Sequence, residues 1–134
     1  MASSTQAFLL PGSVPQVFTA AGTISVGCAV GYPNASGEVL QLAANTPILG
    51  IAATDAVTGE QVTVVTFGPA YAKLDSGVTW ATTRMLGVAA SGKFEGVAVD
   101  TTSTVRCTPD ARMGASASAN DLVRVVVGVG AFHT

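Results

Sequence analysis

The sequence predicts an all-β protein: a compact small barrel or sandwich built from two similar hairpin units, preceded by an extended N-terminal arm. Short runs rich in β-branched residues are separated by turn formers at a spacing of roughly 8–12 residues, which is typical of small barrels and sandwiches. No apolar stripe of helical period persists for three turns. One stretch of the chain also nearly repeats itself, which points to two equivalent β units.

The repeat joins residues 22–43, GTISVGCAVGYPNASGEVLQLA, to residues 77–98, GVTWATTRMLGVAASGKFEGVA, at an offset of 55. A weaker echo follows, because residues 59–65 resemble residues 120–126 at an offset of 61. We therefore expect two equivalent hairpins. Their turns, at Ser36 and Gly37 and at Ser91 and Gly92, should be of one type with the glycine at positive φ.

Residues 1–21 are predicted to be an extended N-terminal arm. No charged residue precedes Glu38, and Pro11 and Pro15 disfavour a regular ladder. Two interpretations remain open: a frayed terminus, or an arm that lies on a partner subunit. Adjacent large apolar residues favour the arm, because a solvated tail rarely carries them. The candidate capsid or partner contacts are Phe8, Leu9, Leu10, Pro11, Val14, Val17 and Phe18.

The remainder, residues 22–134, is predicted to be a single β domain. Strands are expected at residues 26–32, 38–42, 48–53, 61–67, 69–74, 83–89, 93–97 and 122–129. Residues 101–107 form a polar, β-branched run. Gly68 and Pro69 are expected to end the clearest strand. Residues 112–120 are small and polar, which predicts a loop or a short helix.

The composition favours a protein that is buried against neighbours. The 134 residues make one domain, and only 10% of them are charged, against about 25% in ordinary soluble domains. A surface so poor in charge is poorly solvated alone, so we expect an oligomer or an assembly. Apolar runs are too short to span a membrane, and a net charge of -2 gives no sign of nucleic-acid binding.

The sequence offers no set of reactive side chains, so we expect no enzyme, no catalytic residue, no cofactor and no metal. The histidine, His133, is the penultimate residue, where we expect neither packing nor a second shell unless the tail docks. Cys28 and Cys107 cannot form a zinc site alone; a disulfide between them and two separate thiols both remain open.

Other candidate groups have ordinary structural interpretations. The carboxylates of Asp55, Glu60, Asp75 and Glu95 lie in or next to predicted turns, where they are expected to cap backbone groups. The aromatic rings of Tyr71 and Trp80 are expected to pack in a core or an interface, or to stack on a ligand.

Four phrases in order carry a family resemblance. Residues 47–52 read PILGIA, residues 58–64 TGEQVTV, residues 68–74 GPAYAKL and residues 120–126 NDLVRVV, and a hairpin at 25–43 precedes them. This order resembles small phage capsid decoration (cement) proteins. Asn120 stands where that family usually has glycine, and the segment 99–118 is longer and more polar than the resemblance leads one to expect.

The resemblance implies a compact β domain, commonly trimeric, that clamps neighbouring major capsid protein subunits on the outside of an icosahedral head without catalysis. We therefore expect a structural virion protein that binds the outside of the assembled capsid and stabilises it. Its partners would be the major capsid protein lattice and itself as a homotrimer, without direct nucleic-acid or membrane contact. The alternative is a carbohydrate- or host-binding β module on a virion or tail, using Tyr71 and Trp80.

Overall fold

A computed structural model describes residues 9–42, 48–79, 85–97, 105–109 and 116–128. Within these ranges the chain is all β, as predicted, with one short 3₁₀ turn at Ala90–Gly92. The strands are β1 (Val14–Ala20), β2 (Ala29–Gly31), β3 (Glu38–Val39), β4 (Ile48–Ala52), β5 (Gln61–Lys73), β6 (Val78–Thr79), β7 (Met85–Val88), β8 (Phe94–Val97), β9 (Val105–Pro109), β10 (Ser116–Ala117) and β11 (Leu122–Val127).

Residues 14–67, here called unit one, form a nearly closed five-strand barrel. The first half of β5 lies between β1 and β4, antiparallel to both, and β4 pairs in turn with β2. β3 runs parallel to β1. The chain after β3 returns to β2, where the N–H of Gly31 donates to the C=O of Leu40 at 3.0 Å, and this contact closes the ring.

Residues 68–128, here called unit two, repeat the same order of pairings. The second half of β5 pairs with β11, β11 with β9, β9 with β7 and β7 with β8. A parallel bridge between Leu74 and Phe94 brings the start of β8 back to the end of β5. β5 is therefore the last strand of unit one and the first strand of unit two.

The two units also share their register. Pro15 lies opposite Val65 in unit one, and Pro69 lies opposite Val126 in unit two. The equivalent positions are thus 54 residues apart on the first strand and 61 apart on the second. The small sheet of β6 and β10 likewise corresponds to a single bridge between Ile24 and Ala56. The offset of 61 found in the sequence is therefore structural, and the duplication extends well beyond the two hairpins.

The two hairpin turns are equivalent in position and different in type. The N–H of Asn34 donates to the C=O of Glu38 at 2.8 Å, and the N–H of Ala89 donates to the C=O of Lys93 at 2.7 Å. Gly37 and Gly92 both have φ of 79°. Ser91, however, also has positive φ (64°), and it lies in the 3₁₀ turn, whereas the first turn has positive φ at its glycine only.

The prediction of one turn type is therefore wrong, and Asn34 supplies the physical reason. Its Oδ1 accepts hydrogen bonds from the N–H groups of Ser36 (2.9 Å) and Glu38 (3.0 Å), which anchors the first turn from within. Ala89 holds the equivalent place in the second turn and has no side-chain acceptor. The backbone there adopts another conformation.

Two apolar cores lie on opposite faces of the unit-one sheet. Neighbouring residues of β4, Ile51 and Ala52, belong to different cores, and so do Val64 and Val65 of β5. One core fills the barrel of unit one. The other fills unit two and receives the outer face of the unit-one sheet. Burial on both faces explains why β4 reads as a continuous apolar run instead of an alternating one.

Two sequence predictions about strand ends need correction. Gly68 and Pro69 do not end the clearest strand. Gly68 adopts a positive φ of 94° within the strand, and Pro69 remains paired with β11. The strand predicted at 26–32 begins only at Ala29, because the N–H of Cys28 closes a turn onto the C=O of Ser25 at 3.2 Å.

The segment predicted as an arm contains β1. Residues 14–20 pair with β5 and, at their end, with β3. Immediately before them the N–H of Ser13 donates to the C=O of Leu10 at 3.1 Å and forms a turn. Phe8 and the residues before it lie outside the described residues. A role of 1–21 as a separate capsid-binding arm stays a prediction.

Candidate assembly surface

The first part of β1 is an exposed apolar edge. Val14 is 45% exposed and Val17 is 59% exposed. β3 pairs with β1 only at Thr19 and Ala20, so within the described ranges residues 14–18 have a strand neighbour, β5, on one side only. The strand topology explains the exposure, because β1 begins before the point at which β3 pairs with it.

Two further apolar side chains adjoin this edge. Phe67, on β5, lies opposite Val14 of β1 and is 52% exposed. Leu9 is exposed just before the turn that leads into β1. The ring of Phe67 packs over Gly128, where a Cβ would lie 2.8 Å from its Cδ1. We call Leu9, Val14, Val17 and Phe67 the β1 surface.

The structure separates the sequence-predicted contact residues into exposed and packed ones. Pro11 is exposed and Leu10 is half-buried. Phe18 is half-buried and packs against the barrel core of unit one, so much of its side chain stabilises the fold. Phe67 was not predicted. Only its pairing with Val14 reveals its place, and the sequence pattern of β5 carries no sign of that pairing.

β1 has little of the protection that is usual for an edge strand. The edge strands of monomeric proteins commonly carry lysine or another charge that blocks association. Every described residue before Glu38 is uncharged, including all of β1. Pro15 is the one blocking residue in the strand, because it has no N–H to donate. An exposed, uncharged, apolar edge of this kind is a candidate surface for contact with another protein.

The carboxylates of Asp55 and Glu60 cap backbone groups near turns, as expected. Oδ1 of Asp55 accepts the N–H of Val26 at 2.8 Å, and Oε1 of Glu60 accepts the N–H of Val57 at 2.9 Å. Among the described residues, no group of three or more His, Cys, Asp or Glu side chains comes together. His133 and Trp80 lie outside the described residues, and Tyr71 is half-buried on β5.

Cys28 is a buried free thiol, with Val26 and Val30 buried near it in the chain. Burial raises the pKa of this thiol, and the nearby Lys73 and Lys93 oppose the increase. A thiol of this kind is protonated at neutral pH and behaves as a small apolar side chain.

In the part of the chain that the structure describes, no helix is long and apolar enough to cross a membrane.

A comparison with solved structures finds similarity to the N base of head fiber gp8.5 of bacteriophage phi29. The TM-score is 0.66 at 18% sequence identity, and the match covers 90% of this chain and 98% of that chain. The chain shares the fold of a phage head fiber base. No protein-family model and no curated protein matches the sequence. The finer resemblance to capsid cement proteins therefore stays a prediction.

Proposed function

We propose that this chain is a structural protein of a phage virion that attaches to the outside of the head. The observation that carries the proposal is the fold match to the phi29 head fiber base, which extends over nearly the whole length of both chains. The finer part of the proposal is that the chain clamps neighbouring major capsid protein subunits as a homotrimer.

The surface chemistry is suited to this role. The exposed residues Val14, Val17 and Phe67 provide apolar area without charge. Removing apolar area of this kind from water at a protein contact lowers the free energy of the complex. A closed oligomer hides such area, and the three-fold sites of an icosahedral head fit a trimer.

Binding to the assembled head would stabilise it by mass action. A protein that binds only the assembled shell adds its binding free energy to the shell. Repeated sites on one particle strengthen the attachment further through avidity. No reactive group, cofactor or metal is needed for either effect, so the role is not enzymatic.

The experiment adds the purified chain to heads of the encoding phage from which this gene has been deleted. We expect the chain to co-sediment with the heads, at hundreds of copies per particle by quantitative mass spectrometry. Decorated heads should also release DNA at a higher temperature than bare heads. Bovine serum albumin at the same concentration controls for trapping in the pellet.

Two results would contradict the proposal. If the chain fails to bind heads at micromolar concentration, attachment to the head is wrong. If wild-type virions carry only a few copies, located on the tail, the host-binding alternative from the sequence is correct. Binding at high copy number without added heat resistance would support attachment and remove the clamping role.

A further inference from the structure

One edge of β1 carries backbone groups that no strand in the described ranges pairs with. The N–H of Ala20 donates to the C=O of Glu60 at 2.8 Å, and the C=O of Val14 accepts the hydroxyl of Thr66 at 3.1 Å. The backbone groups of the even-numbered residues of β1 therefore face β5. Alternate residues of a strand direct these groups to opposite edges, so those of the odd-numbered residues face away from β5. β3 reaches this second edge only from Thr19 onward.

The turn before β1 sets the direction from which the chain arrives. The N–H of Ser13 donates to the C=O of Leu10 at 3.1 Å, and Gly12 has φ of 90°. Proline followed by glycine at the centre of such a turn is the sequence typical of a type II turn. Ser13 is an odd-numbered position, so its bond to Leu10 lies on the free side of β1. The chain before Leu10 therefore leaves the turn on the free side and not on the side of β5.

We propose that residues 5–9 fold back along β1 as an additional antiparallel strand and close its free edge. The turn determines the register, because pairs are counted outward from Leu10 and Ser13. Gln6 then lies opposite Val17, and the next pair ends just before Thr19, where β3 begins to pair with β1. The length of the segment thus matches the free stretch at 14–18.

The chemistry of the segment suits this place. Residues 1–9 contain no charged side chain, so the added strand brings no charge beside the exposed valines of β1. The same register places Leu9 opposite Val14, and Val14 lies opposite Phe67 on β5. All three side chains are apolar and exposed. They would form one row across three adjacent strands, an arrangement that stabilises strand pairing.

Pro15 is compatible with the added strand. It is an odd-numbered position, so its missing N–H is on the free edge, where it removes a single hydrogen bond from the pairing. A type II turn also holds the two strands further apart than the primed turns of regular hairpins do. The first complete pair of hydrogen bonds is therefore expected between Gln6 and Val17, beyond both interruptions. The N–H of Val17 is the group that reports on the proposed strand.

The added strand changes how a partner can meet β1. Closing the edge prevents another chain from pairing with it strand to strand, and it leaves the row of Leu9, Val14 and Phe67 as a face that a partner can contact. The sequence predicted that this segment lies on a partner subunit, whereas the proposal places it on its own domain. The proposal does not depend on the function proposed above.

Amide hydrogen exchange of the full chain, followed by NMR at a concentration where the chain is monomeric, tests the proposal at Val17. Gln6→Pro removes the N–H that would donate to Val17 and should accelerate exchange of the Val17 N–H roughly tenfold or more. Ala7→Pro is the matched control. The N–H lost there faces away from β1, so exchange should stay within about threefold of wild type. The N–H of Phe18, which faces β5, should exchange slowly in all three chains and checks the barrel.

A second measurement tests the register. Ala7 and Gln16 would form a non-hydrogen-bonded pair, with Cα atoms about 4.5 Å apart, and should give a strong nuclear Overhauser effect between their Hα atoms. Contacts of another register would overturn the proposal. Exchange of the Val17 N–H at the rate of an unpaired amide in wild type would also overturn it, and would leave the edge open to a partner. Slow exchange that Gln6→Pro does not change would show that something other than residues 5–9 covers the edge, so the proposal would be wrong.

Discussion

Asn120 holds in unit two the place that Gly59 holds in unit one. The N–H of Gly59 donates to the C=O of Ala20 at 2.8 Å, and the N–H of Asn120 donates to the C=O of Leu74 at 2.7 Å. Both residues have positive φ, 89° and 68°. Each of these bonds ties a turn to the end of the first strand of its unit. Asparagine is among the few residues other than glycine that tolerate this conformation.

This equivalence predicts the effect of substitutions at the two positions. Asn120→Ala and Gly59→Ala should each lower the free energy of unfolding by about 1 kcal/mol, because alanine is strained at positive φ. Asn120→Gly should stay within about 0.5 kcal/mol of wild type, because the hydrogen bond from Nζ of Lys93 to Oδ1 of Asn120 is exposed and contributes little. Urea unfolding measures all three variants. An Asn120→Gly loss as large as that of Asn120→Ala would show that the side chain, not φ, selects asparagine here.

Asp55 should stabilise the turn that precedes β2. Its Oδ1 accepts the N–H of Val26, and Val26 is buried. Asp55→Ala leaves that N–H without its acceptor, so the free energy of unfolding should fall by about 1–3 kcal/mol. Asp55→Asn keeps an acceptor oxygen in place and should recover most of the loss. Equal losses for both variants in urea unfolding would assign the effect to the charge of Asp55 instead of its hydrogen bond.

The sequence predicted the fold class because its strongest signals are local. Turn formers such as Gly59 mark real turns, and the β-branched run at 61–67 lies within a real strand. The continuation of that strand through Pro69 could not be predicted, because it depends on pairing with β11, about 60 residues further along. The sequence likewise showed the duplication only in two stretches, at offsets of 55 and 61. Equivalent positions are 54 residues apart at Pro15 and 61 apart at Val65, so insertions hid most of it.

The assembly surface was predictable in part. The sequence before Glu38 shows that Val14 and Val17 are apolar and that no charged residue lies near them in the chain. Two features were not. Phe67 joins the surface only through its pairing with Val14, and Phe18 turns toward the barrel core because β1 is a strand of the barrel. Both depend on strand pairing between distant parts of the chain, which the local sequence does not specify.

Cys28 should be unreactive in the folded protein. Because burial raises the pKa of its thiol, the thiolate fraction at pH 7–8 is smaller than for an exposed cysteine, and the folded chain also blocks access. In a Cys107→Ser background, Cys28 should react with Ellman's reagent only at the rate of unfolding. Raising the pH to 9 should accelerate native labelling much less than it accelerates labelling in 6 M guanidinium chloride. Rapid labelling of the native protein at pH 7 would show that the barrel opens locally at Cys28.

Self-association should be nearly insensitive to salt, and this sets it apart from a charged interface. Screening removes interactions between exposed charges, and the β1 surface has none to screen. The dissociation constant, measured by analytical ultracentrifugation, should change less than about threefold between about 50 mM and 500 mM NaCl. Val17→Asp should weaken association roughly tenfold or more, because it places a charge on exposed apolar area, whereas Val17→Thr keeps the β-branched shape and should cost less. A steep loss of association with salt would place the contact at one of the charged residues after Gly37, and an unchanged dissociation constant in Val17→Asp would exclude Val17 from the contact.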